Sequence, residues 1–515
     1  MVYRLKKQEN AFDTYVLYDQ DRLPVKCYPE EEGQEIVFHT DLKPAKFLTK
    51  MLVPGFGGAY LFADNEGKGY ETDGELLNFN FEAAKSRLHH LKEFAAKVEE
   101  EFGFCPTAQK EILAEAQKRL VRDIPEEETL SVLSSLLWAG EELVEFWSRN
   151  RIAKNGLRKD FMLGCSTKGL TDADELWKER FGSLFNGVCI PTHWGILEPS
   201  RGEKHYEVID DMIEWAGVQH MNIRLHAVIW FCSLWEKQSW MGELPFSEVR
   251  ELVRERVEYL MGRYGDKLDY VDFNEPMQSD GLNMTFDEHF SIVMDAYEIV
   301  KHHNPDCKIM INFFNEWQEL YAIDRVGKMK DYYEMTGLQI SEHEWSVSVY
   351  QYIDRCLEAG MKIDCLGLQW HDHPYDLFGA YELIRQWSQR YHLPIQITEL
   401  EVASGMGRPA YVCGTRPNPA PDLYWHEPWS QRIQAEWFEK FMLLSYALPE
   451  VEAFCIFGFC DAPTQWGSYV NGKGIAERFK VSACAFTGVL DENEEPKLSY
   501  YTLKRLARQL GIQKN

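Results

Sequence analysis

Two glutamates stand in settings that suit acid–base chemistry: Glu275, in Asn274-Glu275-Pro276, and Glu399, in Thr398-Glu399-Leu400-Glu401. Two carboxyl groups that flank a glycosidic bond can cleave it. About 5–5.5 Å apart, they suit a retaining double displacement, in which one attacks the sugar and the other serves first as acid, then as base. The acid must hold its proton and the nucleophile must give its proton up, a difference that their neighbours set. Asn274 can hydrogen-bond a sugar 2-hydroxyl, a contact that strengthens at the transition state. Gln369 and His371 are placed to orient Glu399 or to hold the sugar. Either glutamate alone reads better as a strand-end carboxylate in water. The pair, framed by Asn, His and Trp, reads as a site.

Such residues need a scaffold. From Phe161 onward, short β-branched runs alternate with amphipathic helices. The runs are Phe161–Cys165, Gly187–Pro191, Asn222–Trp230, Leu268–Glu275, Lys308–Phe314, Cys365–His371, Pro394–Val402 and Ala453–Cys460, with helices such as Ser247–Tyr264 and Phe286–His303 between them. This alternation predicts an α/β fold, a (β/α)8 TIM barrel, with catalytic groups at the C-terminal ends of the strands. The unusual polar residues fall there. Thr192, His193 and Trp194 end the second run, His226 and Trp230 lie on the third, and Asn312 and Asn315 end the fifth. Gln369, His371 and Asp372 end the sixth, and Phe457 and Asp461 end the eighth. Asp364, Asp372, Asp461 and Glu401 read as acids near the same rim, holding His371 or the Glu399 strand in place.

Several stretches then carry a resemblance. Trp194-Gly195-Ile196-Leu197-Glu198-Pro199-Ser200-Arg201-Gly202 resembles the Trp-x-x-x-Glu-Pro-x-x-Gly of glycoside hydrolase family 10, the endo-1,4-β-xylanases. Arg224-Leu225-His226-Ala227-Val228-Ile229-Trp230 resembles its Arg-Gly-His-x-x-x-Trp, and Asp272-Phe273-Asn274-Glu275 its Trp-Asp-x-x-Asn-Glu. Asn312 and Asn315 match its Asn-Asp-Tyr-Asn, Gln369-Trp370-His371 its Gln-x-His, and Thr398-Glu399-Leu400-Glu401 its Thr-Glu-Leu-Asp. The resemblance covers about residues 155 to 510. It implies Glu275 as acid/base and Glu399 as nucleophile. It also implies that Asn274, His226, Trp230, Gln369 and His371 line the subsite of the cleaved sugar, and that no cofactor is required.

The departures bear on substrate. The Glu-Asn pair that precedes the family's strand-two Trp is missing, and His193 stands where its Lys would be. Phe231 replaces a His, Phe313 an Asp, and Phe457 the strand-eight Trp that covers the sugar. Loop aromatics are candidate sugar platforms: Trp235 and Trp240 after strand three, Tyr411, Tyr424, Trp425, His426 and Trp429 after strand seven, and Trp466 and Tyr469 after strand eight. The alternative for each is packing of its loop onto the barrel. The expected substrate is a β-1,4-linked xylose chain. Other readings stay open. One is a β-glucosidase, β-galactosidase or mixed β-glycanase, for which the smaller Phe457 leaves room for a hydroxymethyl group. Another is a barrel that binds oligosaccharide without turnover. A third is a metal site built on His371-Asp372-His373 with His226 and His193. It is disfavoured because the two glutamates would then go unexplained.

The rest of the chain sets limits. With 515 residues, 45% of them hydrophobic, it has ample core for more than one unit. A net charge of −27 opposes binding to nucleic acid or anionic membranes and suits a neutral carbohydrate partner. The 12 cysteines include no Cys-x-x-Cys pair and read as buried thiols. The opening residues show no apolar leader, so a cytoplasmic protein is expected, although a secreted chain shorn of its leader would read the same. Residues 1–78 read as a β-rich segment, 79–155 as a helical block and 156–515 as the barrel domain. Strand candidates are Thr14–Tyr18, Glu35–His39 and Ala59–Phe62, with a turn at Pro54-Gly55-Phe56-Gly57-Gly58. Helical stripes follow at Leu88, Leu91, Ala95, Val98 and Phe102, capped by Gly103, and at Leu133, Leu136, Leu137, Val144 and Trp147, opened by Pro125. Residues 1–155 carry no chemical motif.

Overall fold

The structure, a computed structural model, describes residues 1–11, 15–71, 74–121, 124–167, 170, 173–231, 240–242, 244–274, 282, 284–314, 317–322, 347–370, 376–405, 424–461 and 487–512. Asn274 is described by its backbone alone.

Seven short strands lead the chain: β1 (Val2–Lys6), β2 (Val16–Tyr18), β3 (Glu30–Glu32), β4 (Glu35–His39), β5 (Lys46–Val53), β6 (Gly57–Ala63) and β7 (Leu76–Asn78). They form two sheets, ordered β3-β4-β1-β7 and β2-β5-β6. The Pro54–Phe56 turn joins β5 and β6 as an antiparallel hairpin. Strand β5 escapes the sequence reading because Lys46 and Lys50 interrupt its apolar pattern. Both lysines are buried here, with Lys46 Nζ donating to the Gln20 carbonyl at 2.8 Å and Lys50 Nζ lying 4.6 Å over the Tyr60 ring.

Three helices follow: α1 (Phe79–Phe102), α2 (Thr107–Arg119) and α3 (Glu126–Asn155). Gly103 ends α1 in the left-handed region expected of a C-cap, with its N–H on the Glu99 carbonyl. The apolar stripes serve two cores rather than one. Phe79, Ala83, Leu133 and Leu137 face the small sheets. Leu88, Leu91, Val98, Leu136, Val144 and Trp147 join a core that continues into the barrel.

The barrel strands are β8 (Met162–Ser166), β9 (Gly187–Pro191), β10 (Asn222–Ile229), β11 (Tyr270–Asn274), β12 (Lys308–Phe314), β13 (Cys365–Trp370), β14 (Ile395–Leu400) and β15 (Val451–Ile456). All pairs are parallel, and β15 closes on β8. The outer helices are α4 (Glu175–Gly182), α5 (Trp194–Leu197), α6 (Glu207–Val218), α7 (Phe246–Tyr264), α8 (Phe286–His303), α9 (Trp317–Ala322), α10 (Val349–Glu358), α11 (Leu377–Tyr391), α12 (Gln431–Ala447) and α13 (Leu498–Gln509). Local chemistry fixes their ends. Thr285 and Glu288 form a capping box at the start of α8, and Lys301, His302 and His303 place positive charge in its last turn. Nine cysteines among the described residues are free thiols, and all but Cys27 are buried. No helix among the described residues is long and apolar enough to cross a membrane.

Candidate active site

The C-terminal ends of β10 to β14 converge on a ring of buried polar groups. Its sequence cue is unusual polarity inside apolar strands: Arg224 and His226 on β10, Asp272 on β11, Asn312 on β12, and Thr398 with Glu399 on β14. Thr398 Oγ1 donates to Asn312 Oδ1 at 2.7 Å, and Asn312 Nδ2 donates to Asp272 Oδ2 at 3.0 Å. His226 Nδ1 lies 3.0 Å from the same carboxylate oxygen. A carboxylate only accepts, so Nδ1 carries a hydrogen here, and Nε2 holds a second carboxylate only when it carries one as well. Nε2 then faces Glu399 Oε1 at 3.4 Å. The chain of contacts thus returns to the strand on which it began. Arg224, wholly buried, donates to the Thr398 carbonyl at 3.0 Å, and its Nε lies 3.7 Å from Asp272. Burial opposes its charge, but the surrounding Cys189, Cys455 and Asp272 side chains outweigh that and raise its pKa.

Two irregularities make the ring possible. Successive side chains of a regular strand point to opposite faces, so Thr398 and Glu399 should not both reach the interior. In the β13–β14 ladder, however, Leu368 pairs with Ile397 and Gln369 with Glu399, which leaves Thr398 as an extra residue. This bulge turns neighbouring side chains toward Asn312 and His226. On β10 the register slips between Leu225 and Ile229, and Ala227 has φ 59°, a left-handed backbone that a non-glycine residue adopts at a cost. The His226 carbonyl just before it accepts from both the Thr192 amide, at 3.0 Å, and Thr192 Oγ1, at 2.8 Å. The strained residue thus lies between His226 on β10 and Trp230, the residue that directly follows the strand.

The other predicted residues divide. His193 follows β9 with its ring 5.3 Å from Trp230 and edge-on to His226 at 6.0 Å, so these three sit together. Gln369 is buried directly across the ladder from Glu399. Phe457 follows β15, half-buried, with its N–H on the Leu400 carbonyl at 3.1 Å. Trp194 is buried against the wall. Its indole N–H donates to Glu198 at 2.9 Å, and the Arg256 guanidinium lies 4.9 Å from its ring. Glu275, His371, Asp372 and Trp466 lie outside the described residues, as do Trp235, Tyr411 and Tyr469. Strand β11 ends at Asn274, one residue before Glu275.

Several expectations need correction. Asp364 is not at the rim. It precedes β13, at the opposite end of the barrel, where it binds Lys301 at 3.1 Å and Lys362 at 2.9 Å. Asp461 pairs with the buried Lys497 at 2.5 Å, and Lys497 in turn reaches Ser404 Oγ at 2.8 Å, beyond β14. Burial pushes the Asp461 carboxyl up and the Lys497 ammonium down. Trp425 and His426 are not sugar platforms. Trp425 is wholly buried, and its indole N–H and the His426 ring both bind Glu141 of α3. Trp240 donates to the Glu198 carbonyl and meets Trp194 edge-on at 6.2 Å, packing its loop. Glu141 was missed from sequence, and so was the joining of Asp272, Asn312, Thr398 and Arg224 into one ring. Those four stood in sequence only as members of the family-like stretches, with Asn312 also a strand-end polar residue.

A closed parallel barrel that gathers a carboxylate and its histidine partner at the strand mouths defines a class of α/β enzyme fold. The chain matches the model of glycosyl hydrolase family 10 over residues 153–505 and belongs to that family. Endo-1,4-beta-xylanase 3 of Hypocrea jecorina is 24% identical over 246 residues, which cover 45% of this chain and 63% of that protein, under two thirds of its length. Endo-1,4-beta-xylanase B of Thermotoga neapolitana is 22% identical over 361 residues, 67% of this chain and 87% of that protein. Among solved structures, xylanase 10B of Thermotoga petrophila in complex with xylobiose aligns with a TM-score of 0.47 at 17% identity, over 70% of this chain and 97% of that one.

Proposed function

We propose that the protein is a retaining glycoside hydrolase that cleaves β-1,4-xylosidic bonds in xylan or xylo-oligosaccharides. The observation that carries this reading is the placing of Glu399. In a family 10 chain, its carboxylate is held at a barrel mouth by His226, which Asp272 in turn fixes. Glu399 attacks the anomeric carbon while Glu275 gives its proton to the leaving oxygen. The glycosyl ester is then opened by water, whose proton returns to Glu275 as the ester bond to Glu399 breaks. Asn274 bonds the 2-hydroxyl, and His226, Trp230, Gln369 and His371 surround the cleaved sugar. Trp194, His193, Phe457 and Trp466 complete the neighbouring walls.

Phe457 favours a second reading. A Phe at the end of β15, beside the strand that bears Glu399, leaves more room than the Trp of the family pattern, and a glucoside or galactoside needs that room for its hydroxymethyl group. The test is turnover of aryl β-xylobioside, aryl β-cellobioside and xylo-oligosaccharides by the wild type, Glu399→Ala and Glu275→Ala, with and without chelator, and with the product anomer followed by NMR. Xyloside turnover that is lost in both variants, is indifferent to chelator and releases the β-anomer first supports the proposal. Glucoside turnover moves the specificity to the second reading. Binding without turnover makes the barrel a sugar-binding protein, and loss of activity with chelator restores a metal site.

A further inference from the structure

The N-terminal 155 residues touch the barrel where two of its active-site connections rejoin helices. The chain that leaves β14, the Glu399 strand, re-enters at Tyr424-Trp425-His426 before α12. That tripeptide is seated on the N-terminal segment. The Gly58 N–H donates to the Tyr424 carbonyl at 2.8 Å. Gly57, at φ +118°, lies so close to Trp425 that a Cβ there would fall 1.4 Å from the Trp425 carbonyl oxygen. His426 Nδ1 is 3.0 Å from the Phe56 carbonyl, and the ring stacks on Trp138 at 4.2 Å.

Beneath them lies Glu141 of α3, wholly buried. Its Oε1 accepts from the Trp425 indole at 3.1 Å and from the Leu377 amide, the first of α11, at 3.3 Å. Its Oε2 binds His426 Nε2 at 2.9 Å and Lys440 of α12 at 3.4 Å. A second buried pair grips the start of α11, the helix that follows β13 and its Gln369. The Arg87 guanidinium of α1 binds both oxygens of Asp376, at 2.7 and 3.0 Å, while Asp376 caps α11 through the Gly379 N–H. A buried charge is costly unless paired. Two such anchors, both aimed at the helix-side ends of the connections after β13 and β14, are more than is needed to attach a solubilising appendage.

We infer that the N-terminal segment is a brace for the Glu399 side of the active site, and that Glu141 and Gly57 are positioning residues for substrate. The inference rests on the reading of Glu399 as nucleophile. It is tested with Glu141→Gln, which keeps an acceptor for Trp425 but removes the charge, and with Gly57→Ala. Leu113→Ala, on α2 away from the barrel, serves as a matched destabilised control. Each full-length variant is assayed well below its Tm for kcat and KM on xylo-oligosaccharides. Amide exchange is followed in peptides covering 398–405 and 424–430. Glu141→Gln and Gly57→Ala are expected to lower kcat/KM by about tenfold or more, since a small misplacement remote from the chemistry is felt at the reacting atoms. Exchange should rise in both peptides, and Leu113→Ala should change neither. Equal effects in all three variants, or a lowered Tm with kcat/KM and exchange unchanged, overturn the brace. If the wild type turns over neither xylosides nor glucosides, the hydrolase reading fails by itself, and the exchange comparison alone decides the brace.

Discussion

Asp272→Asn separates the two tasks of the polar ring. Asp272 Oδ2 faces His226 at 3.0 Å, Asn312 at 3.0 Å and the Arg224 guanidinium at 3.7 Å, and neither Asp272 nor Arg224 is exposed. The amide is nearly isosteric but leaves a buried cation without its carboxylate, which costs about 3–5 kcal/mol when nothing else moves. Retained hydrogen bonds from His226 and Asn312 favour the lower end, so we expect a loss of about 3 kcal/mol by denaturant titration. The amide binds His226 through one neutral oxygen in place of a carboxylate, so the imidazole is held less firmly in the orientation that faces Glu399. Glu399 then loses a fixed partner, and kcat on aryl β-xylobioside should fall on the order of 10²-fold with KM little changed, since the misplaced group is the nucleophile and not the sugar grip. Arg224→Met in the same background should recover much of the lost stability, with a coupling energy of about 2 kcal/mol, but none of the activity. A stability loss below about 1 kcal/mol with additive single effects would mean that Arg224 does not depend on Asp272. An unchanged kcat would show that the ring does not position Glu399.

The brace carries its own acid dependence. Burial pushes the Glu141 carboxyl up, but the His426 hydrogen bond and the His426 and Lys440 charges outweigh it and hold the carboxyl below its usual range. Its stabilisation is therefore complete above the ordinary carboxylate value of about 4.3 and is lost as pH falls below it. Denaturation midpoints should drop on the acid side of that value, and Glu141→Gln should flatten the drop. At the other end of the site, Lys497→Met should destabilise by about 3–5 kcal/mol, and more than the double variant with Asp461→Asn, because the single change strands a buried carboxylate. Phe457→Trp should raise the ratio of xyloside to glucoside turnover by at least about threefold, a value set by roughly 0.6 kcal/mol of lost room; an unchanged ratio removes Phe457 from the specificity argument.

The barrel was legible because parallel strands covered on both faces read as continuous apolar runs, and the helices between them announce their ends. Phe286–His303 is bounded in sequence by Thr285 and by a basic last turn, and the helix spans just those residues. Glu399, His226 and Gln369 were legible because a polar residue at the end of such a run has few other reasons to be there. The ring that joins them was not. Which of Thr398 and Glu399 faces inward depends on a bulge, and the bulge is set by pairing with β13 and β15, strands that offer no local signal in the Thr398 neighbourhood. Trp425 and His426 failed for a related reason. An aromatic pair in a proline-rich loop looks the same whether it faces a sugar or a carboxylate, and the carboxylate that decides lies 284 residues earlier in the chain. Gly57 and Gly58 were no more explicit. They read as a turn, which they begin to leave, but a turn does not require a residue without a side chain at φ +118°; the close approach of the Trp425 backbone does. The need for glycine at position 57 is thus visible only in the structure, where a distant backbone is pressed against it.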